Sequence, residues 1–347
     1  MPRHPAARRT GAPPPAASSP PAAAPAGSTG RVRAAYLAHE GFEAELPDAL
    51  RRAGARPGAW HGRLLLSPDP PVSCPWALDT WTDPREIPAP SIKAAADGLR
   101  AIQRNWSLVP GAHHRRATLI EAALPPLRAK PVHFPAPVPT AHLGGWCLLR
   151  PDLVLASPAK TSPYPGGAPV LAEDHEGPPS RAYLKLWEAF LRVGRWPQPG
   201  ETCLDLGASP GGWTWAVSRL GARVTAVDKA PLDPAVAAMP GVSTRTESAF
   251  ALDPRAQPPV DWLLSDVICY PARLLALVQR WIAAGAARNI LCTIKFQGAT
   301  DHETAAAFAA IPGATLSHGA YNKHELMFAR LDPEAPRSGD LPHQLGP

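Results

Sequence analysis

Nine consecutive residues, Asp205-Leu-Gly-Ala-Ser-Pro-Gly-Gly-Trp213, join a carboxylate to three glycines and a proline. An apolar run, Cys203–Leu206, leads into them, and a helix-forming stretch, Gly212–Leu220, follows. At such a strand-to-helix turn the backbone N–H groups and the helix N-terminus are free to meet a ligand. Glycines there let the chain turn tightly and a ligand come close to the backbone. The next apolar strand, Arg223–Val227, closes at Asp228, 23 residues after Asp205. A carboxylate in that place can accept both hydroxyls of an adenosyl ribose. The turn reads as a site for an adenosine-containing cofactor.

Two other chemistries share part of this spelling, and each fails on one residue. A dinucleotide site needs G-x-G-x-x-G, with the second glycine making room for a pyrophosphate; that place is Ser209. Gly207-Ala-Ser209-Pro-Gly211 also spells the G-x-S-x-G nucleophile elbow, and Asp266 and His324 follow in the matching chain order. The residue after the nucleophile must give its N–H to the oxyanion, and Pro210 has none. S-adenosylmethionine carries no pyrophosphate and places no such demand on position 209.

The elements around the turn fit this reading. Ser180 can cap a helix whose Leu184, Trp187, Phe190 and Leu191 share one face. Further strands are expected over Trp262–Ser265, Ile290–Ile294 and Glu325–Ala329, with apolar helices at about 271–284 and 302–310. This alternation predicts an α/β, Rossmann-like, doubly wound parallel sheet covered on both faces. Asp266 (SDVICYP) and Lys295 (LCTIKFQ) then stand at carboxyl ends of strands, as Asp205 does. In an open α/β sheet that rim binds ligands.

The run DLGASPGGW resembles the first motif of the FtsJ-type (RrmJ-type) ribose 2′-O-methyltransferases. The resemblance implies that the methionine part of the cofactor lies against Pro210, Gly211, Gly212 and Trp213; a core position at a helix start is the other reading of Trp213. It also implies a Lys-Asp-Lys-Glu tetrad: Lys185 in SRAYLKLWEAF, Asp266, Lys295, and Glu325 in NKHELMFAR. Taken singly, Lys185 reads as a solvated helix residue near Glu188, and Glu325 as an edge-strand charge. A ribose 2′-OH must lose its proton as it attacks the sulfonium methyl, and the activated cofactor makes a metal unnecessary. Lys295 is the implied base. A free lysine titrates near pH 10.4, so action near neutrality asks for a fall worth about 4 kcal/mol. Lys185 and the positive sulfur press in that direction, while Asp266 and Glu325 orient the lysines and balance charge.

Over roughly 165–331 the chain is similar to the RlmM-type branch, which methylates the 2′-O of a cytidine in bacterial 23S rRNA. The likeness rests on GGAPVLAEDHEGPPSRAYLKLWEAF, DLGASPGGWTWAVSRLGARVTAVDKAPLD and DWLLSDVICYPARLLALVQRWI. That branch implies an N-terminal THUMP-like, ferredoxin-like RNA-binding module, and AYLAHEGFEAELPDAL has the strand–glycine–helix opening of one. The acidic residue the family sets against the adenine amino group is Ser248 here, within RTESAFALD and beside Glu247. The return region from Lys295 to Glu325 is also shorter than the family's. Two further readings stay open: the same chemistry on tRNA or a cap, and an RNA-binding protein with a vestigial methyltransferase fold. The intact tetrad argues against the second.

Bulk properties agree. The expected organisation is a disordered Pro/Ala-rich tail over 1–30, an N-terminal α+β domain over 31–157, a Pro/Gly-rich linker over 158–180, the methyltransferase domain over 181–332 and a flexible tail over 333–347. Five scattered cysteines form no Cys-x-x-Cys pair, which argues against a zinc ribbon, an iron–sulfur centre or a disulfide scaffold and suits a reducing cytoplasm. No apolar stretch of about 18 residues is present, so no membrane span is expected. A monomer without metal is the simplest assembly. Residues 1–130 hold 17 Lys and Arg against 10 Asp and Glu, whereas 131–347 hold 18 against 19. That basic half suits phosphate binding on RNA, with an unpaired nucleotide as the reachable target. Trp60, Trp76, Trp81 and Trp106 read chiefly as core residues, with base stacking as the other use.

Overall fold

Short apolar runs build two four-stranded sheets within residues 31–157. The computed structural model describes residues 31–334 and Ser338; the tails expected over 1–30 and beyond 334 otherwise lie outside them. The first sheet has the order β2-β3-β1-β4, from β1 (Ala34–Ala38), β2 (Trp60–His61), β3 (Leu64–Ser67) and β4 (Ala77–Trp81). β1 runs antiparallel to both β3 and β4. All of β1 is buried, with Ala34, Tyr36 and Ala38 in one core and Ala35 and Leu37 in another, the two-residue alternation of a strand covered on both faces. Helix α1 (Glu45–Arg52) turns Leu46, Ala49 and Leu50 inward.

The second sheet has the order β5-β8-β7-β6, from β5 (Arg85–Pro88), β6 (Trp106–Leu108), β7 (Gly144–Arg150) and β8 (Leu153–Ser157). Helices α2 (Ile92–Ile102) and α3 (His114–Ala122) complete it, and Ser91 caps α2 by accepting from the Ala94 N–H. Trp76, Trp81 and Trp106 are buried and Trp60 is half-buried, so these indoles serve packing. The stretch 158–180 is fastened to what precedes it. Lys160 Nζ donates to Asp79 Oδ2 at 2.8 Å and to the carbonyls of Ser162 and Tyr164 in a buried ion pair, and Leu171 bridges Val132.

The remaining elements form one α/β layer. Its strands are β9 (Thr202–Leu206), β10 (Arg223–Asp228), β11 (Val242–Thr246), β12 (Val260–Ser265), β13 (Ala287–Lys295), β14 (Ala314–Ser317) and β15 (Glu325–Arg330). Its helices are α4 (Tyr183–Val193), α5 (Gly212–Ser218), α6 (Pro234–Ala237), α7 (Pro271–Ala283) and α8 (His302–Ala309). The order is β11-β10-β9-β12-β13-β15-β14. From β11 to β13 neighbours are parallel, but β15 is antiparallel to both β13 and β14. The sheet is therefore mixed, which corrects the all-parallel expectation: β14 and β15 form a hairpin, and its return strand wedges in beside β13. Ser180 does not cap α4, which begins at Tyr183 without a side-chain cap. Its hydroxyl is buried against Gly212, where an added Cβ would lie 2.5 Å away.

Two features position the site. The chain leaves β9 toward β10 and β11 and then returns to β12, so β9 and β12 flank a topological switch point, where open sheets bind ligands. The first sheet also shares a core with the α/β layer: Trp76 packs on Phe296 and His318, and Phe42 meets His318 at 4.7 Å.

Candidate active site

At the switch point the loop after β9 touches the loop after β12. Gly207 has φ +79°, and a Cβ there would lie 2.7 Å from Val267 Cα, so glycine is required on both counts. Beside this contact opens a cleft of about 200 Å³ lined by Gly207, Asp228, Glu247, Ser248, Phe250, Val267, Ile268 and Arg273, among others. Asp228 is held at its mouth by the Ser209 and Ala230 N–H groups, at 3.0 and 2.9 Å. Asp205 lies beneath, fully buried. Its Oδ2 accepts from Thr214 Oγ1 at 2.7 Å, while Oδ1 has no partner among the described residues. Burial pushes the Asp205 carboxyl up to about 7, against the opposing Thr214 bond.

Of the residues expected to hold a cofactor, Gly207, Asp228 and Ser248 line this cleft. Ser209, Pro210, Gly211 and Gly212 form the turn at its edge. Gly211 has φ +116° and packs within 3.0 Å of Val236 when given a Cβ. Trp213 is only 2 % exposed, and its indole N–H donates to the Ala182 carbonyl at 3.0 Å, so it is a core residue tying α5 to the start of α4. Ser209 Oγ donates to the Pro231 carbonyl, and His324 Nε2 lies against Thr300 Oγ1; the two belong to separate networks. Glu247, beside Ser248, pairs with Arg245 at 2.6 Å.

Lys185, Asp266, Lys295 and Glu325 come together from four elements on the wall of an adjoining pocket of about 870 Å³. Strand register sets half of this, because Lys295 and Glu325 are direct partners across the β13–β15 ladder and so share a face. Lys185 Nζ donates to Asp266 Oδ1 at 3.0 Å and to Glu325 Oε1 at 2.8 Å. Lys295 Nζ lies 2.9 Å from the same Asp266 Oδ1 and donates to the Asp266 carbonyl at 2.6 Å. Thr293 Oγ1 donates to Asp266 Oδ1 as well, at 2.6 Å. Burial opposes charge on Asp266, but Lys185 and Lys295 outweigh it and hold the carboxyl below its usual range. Burial likewise works against the Lys185 ammonium, yet Asp266 and Glu325 prevail and raise its pKa. The reading of Lys185 as a solvated helix residue is corrected: its side chain is 13 % exposed and fully engaged.

The loop Ala320–His324, which also lines this pocket and leads into Glu325, is set by a residue that the sequence did not place in the site. Glu188 follows Lys185 by one helical turn and is buried. It accepts from the Ala320 and Tyr321 N–H groups at 3.0 and 3.1 Å and pairs with Arg192 at 2.9 Å. A Cβ at Gly319 would lie 2.5 Å from Glu188 Oε2, so a side chain there would displace the Glu188 carboxylate. From the same loop Asn322 Nδ2 donates to Glu325 Oε1 at 3.1 Å. The only advance signal was the three-residue spacing between Lys185 and Glu188.

Beside the cleft at the switch point stands a lysine–carboxylate pocket, and residues 178–297 match the FtsJ-like methyltransferase family. The resemblance read from the motifs holds over those residues. It is similar to the Ribosomal RNA large subunit methyltransferase M of Halorhodospira halophila, with 42 % identity over 135 residues, 38 % of this chain and 39 % of that protein. The protein of the same name from Methylococcus capsulatus is 41 % identical over 142 residues, 40 % of each chain. That of Azotobacter vinelandii is 36 % identical over 149 residues, 41 % of each. The alignments thus span about two fifths of the length of these relatives. Among the described residues no helix is long and apolar enough to cross a membrane, and no group of three or more His, Cys, Asp or Glu is arranged to hold a metal ion.

Proposed function

We propose that this protein is an S-adenosylmethionine-dependent RNA ribose 2′-O-methyltransferase that acts on a cytidine of 23S rRNA. The observation that carries the reading is the convergence of Lys185, Asp266, Lys295 and Glu325 beside the cleft at the switch point. When bound, S-adenosylmethionine supplies an electrophilic methyl group on a sulfonium. The cleft suits its adenosine part: Asp228 offers ribose acceptors, Phe250 and Val267 offer apolar faces, and Glu247 or Ser248 can accept from an adenine amino group.

The two lysines divide the work. Lys185 faces two carboxylates and keeps its proton, so it neutralises Asp266 and Glu325 and fixes their positions. Lys295 shares one carboxylate oxygen with Lys185 and Thr293; acting as the neutral amine, its Nζ lone pair would take the proton of the 2′-OH while the ribose 2′-oxygen attacks the methyl carbon and the C–S bond breaks. Asp266 Oδ1 lies between the two lysine Nζ atoms, 3.0 Å from Lys185 and 2.9 Å from Lys295. Residues 31–157 serve in this reading as the THUMP-like, ferredoxin-like RNA-binding half. The order β2-β3-β1-β4, with β1 antiparallel to both neighbours, supports it, as does the upstream basic surplus.

The test is to map 2′-O-methylation in 23S rRNA incubated with the purified protein and cofactor, and in rRNA from cells with and without the gene. A new methyl at one cytidine, lost with Lys295→Ala while cofactor binding persists, is expected. An unchanged map, or full activity in Lys295→Ala, refutes the reading.

A further inference from the structure

Among the described residues few large apolar side chains are strongly exposed, and two of them, Ile268 at 78 % and Tyr270 at 69 %, stand two positions apart in the loop after β12. That loop alternates. Val267 faces the cleft and Cys269 is buried in the core, so Ile268 and Tyr270 are turned to solvent. The loop is fastened at both ends. Lys295 Nζ holds the Asp266 carbonyl, and Pro271 opens α7 directly after Tyr270, whose backbone is extended at φ −66°, ψ 143°. A proline also restricts the residue before it to such a conformation, so the phenol side chain projects from a set backbone. Ile268 lines both the cofactor cleft and the lysine–carboxylate pocket, and forms the ridge between them.

Exposed apolar side chains on a fastened loop gain nothing in the free protein. Beside a pocket rimmed by Lys185, Lys295 and the exposed Lys323, the complementary partner is both anionic and flat-faced. We infer that Ile268 and Tyr270 form a stacking platform for an unpaired nucleobase of the RNA strand whose ribose enters the pocket. The exposed Lys323 at the rim meets that strand's phosphate backbone, and the platform keeps the base out of the helical stack so that the 2′-OH faces Lys295. This rests on the proposed ribose methylation and adds to it the surface that holds the base.

The experiment compares wild type with Ile268→Ala, Tyr270→Ala, the double variant and Tyr270→Phe on an rRNA fragment. Loss of one stacked base corresponds to roughly 5- to 150-fold, so the KM for RNA should rise by that factor in the double variant. The Kd for S-adenosylmethionine should stay within about twofold in Tyr270→Ala, whose side chain lies outside the cleft lining, and Tyr270→Phe, which keeps the ring, should behave as wild type. In parallel, a single-stranded RNA carrying 2-aminopurine reads the platform without catalysis: its fluorescence should be quenched by wild type and much less by the double variant. An unchanged KM together with unchanged quenching overturns the platform. So does an equal loss of cofactor affinity in Tyr270→Ala, which makes the loop a cover for the cofactor, or a dimer that dissociates on substitution, which makes these residues a contact between copies. Wild-type methyl transfer tests the underlying reading separately, and its absence leaves the 2-aminopurine measurement to decide.

Discussion

Replacing Asp205 with asparagine should abolish a specific pH dependence of stability. The carboxyl is fully buried, one oxygen has no partner among the described residues, and burial lifts it from the ordinary 3.8 to about 7. An acid raised in the folded state favours folding while protonated. Its contribution is therefore fully present below about pH 4 and is lost as pH rises toward 7, where the folded form must ionise too. Between those limits the folded chain holds a proton the unfolded chain has released, so stability falls by about 1.4 kcal/mol per pH unit, or about 4 kcal/mol in all. Asparagine keeps an acceptor for Thr214 Oγ1 and removes the titration; leaving its amide without a partner adds a pH-independent cost of about 1–3 kcal/mol. Urea denaturation of both proteins at pH 4.5, 6, 7 and 8 isolates the effect, since other groups cancel in the difference. The wild type should lose ground steadily up to pH 7 and then run parallel to Asp205→Asn. Curves parallel across the whole range would refute the assignment of a raised pKa to this residue.

Two further substitutions test the supports of the site. Glu188→Gln turns one acceptor oxygen toward donors as an NH2 group, so it should cost about 3 kcal/mol in urea denaturation and raise the KM for RNA more than that for S-adenosylmethionine; equal effects on both would deny it the pocket wall. Lys160→Met strands the Asp79 carboxylate in a buried site and should lower stability at pH 7 by about 3–5 kcal/mol. Adding Asp79→Asn, which removes the charge but keeps an acceptor for the Ser162 N–H and Thr161 Oγ1, should recover most of that loss, and a failure to recover would show that the ion pair is not the source.

The central strands were legible because burial on both faces writes itself as continuous apolar sequence. Cys203–Leu206, Trp262–Ser265 and Ile290–Ile294 all fall within observed strands, and the polar residues at their ends fall on one rim. The edges were not. Val242–Thr246 and Ala314–Ser317 are largely solvated strands whose composition resembles loops, and an apolar strand such as Glu325–Arg330 carries no mark of its direction. The two sheets of 31–157 are built from runs of two to seven residues interrupted by prolines, too short for periodicity to separate them. The tetrad emerged through motif resemblance. Glu188 stayed hidden because its partners Ala320 and Tyr321 lie 132 and 133 residues away.

Those long-range partners bear on how the chain is divided. The loop Ala320–His324 rests on α4 through Glu188, and Arg192 extends the same pair toward the carbonyls of Leu78 and Gly167 at 3.4 Å. From the other side Trp76 packs on Phe296 and His324, two residues that line the pocket, and His318 donates its backbone N–H to the Pro75 carbonyl at 2.7 Å. Glu45 accepts from Thr300 Oγ1 at 2.7 Å and faces His324 at 3.3 Å. The first N-terminal sheet thus supports residues next to Lys295 and Glu325, the last two members of the tetrad. In the proposed reading, a strand of RNA held by residues 31–157 would press on elements that already fix the geometry of the pocket.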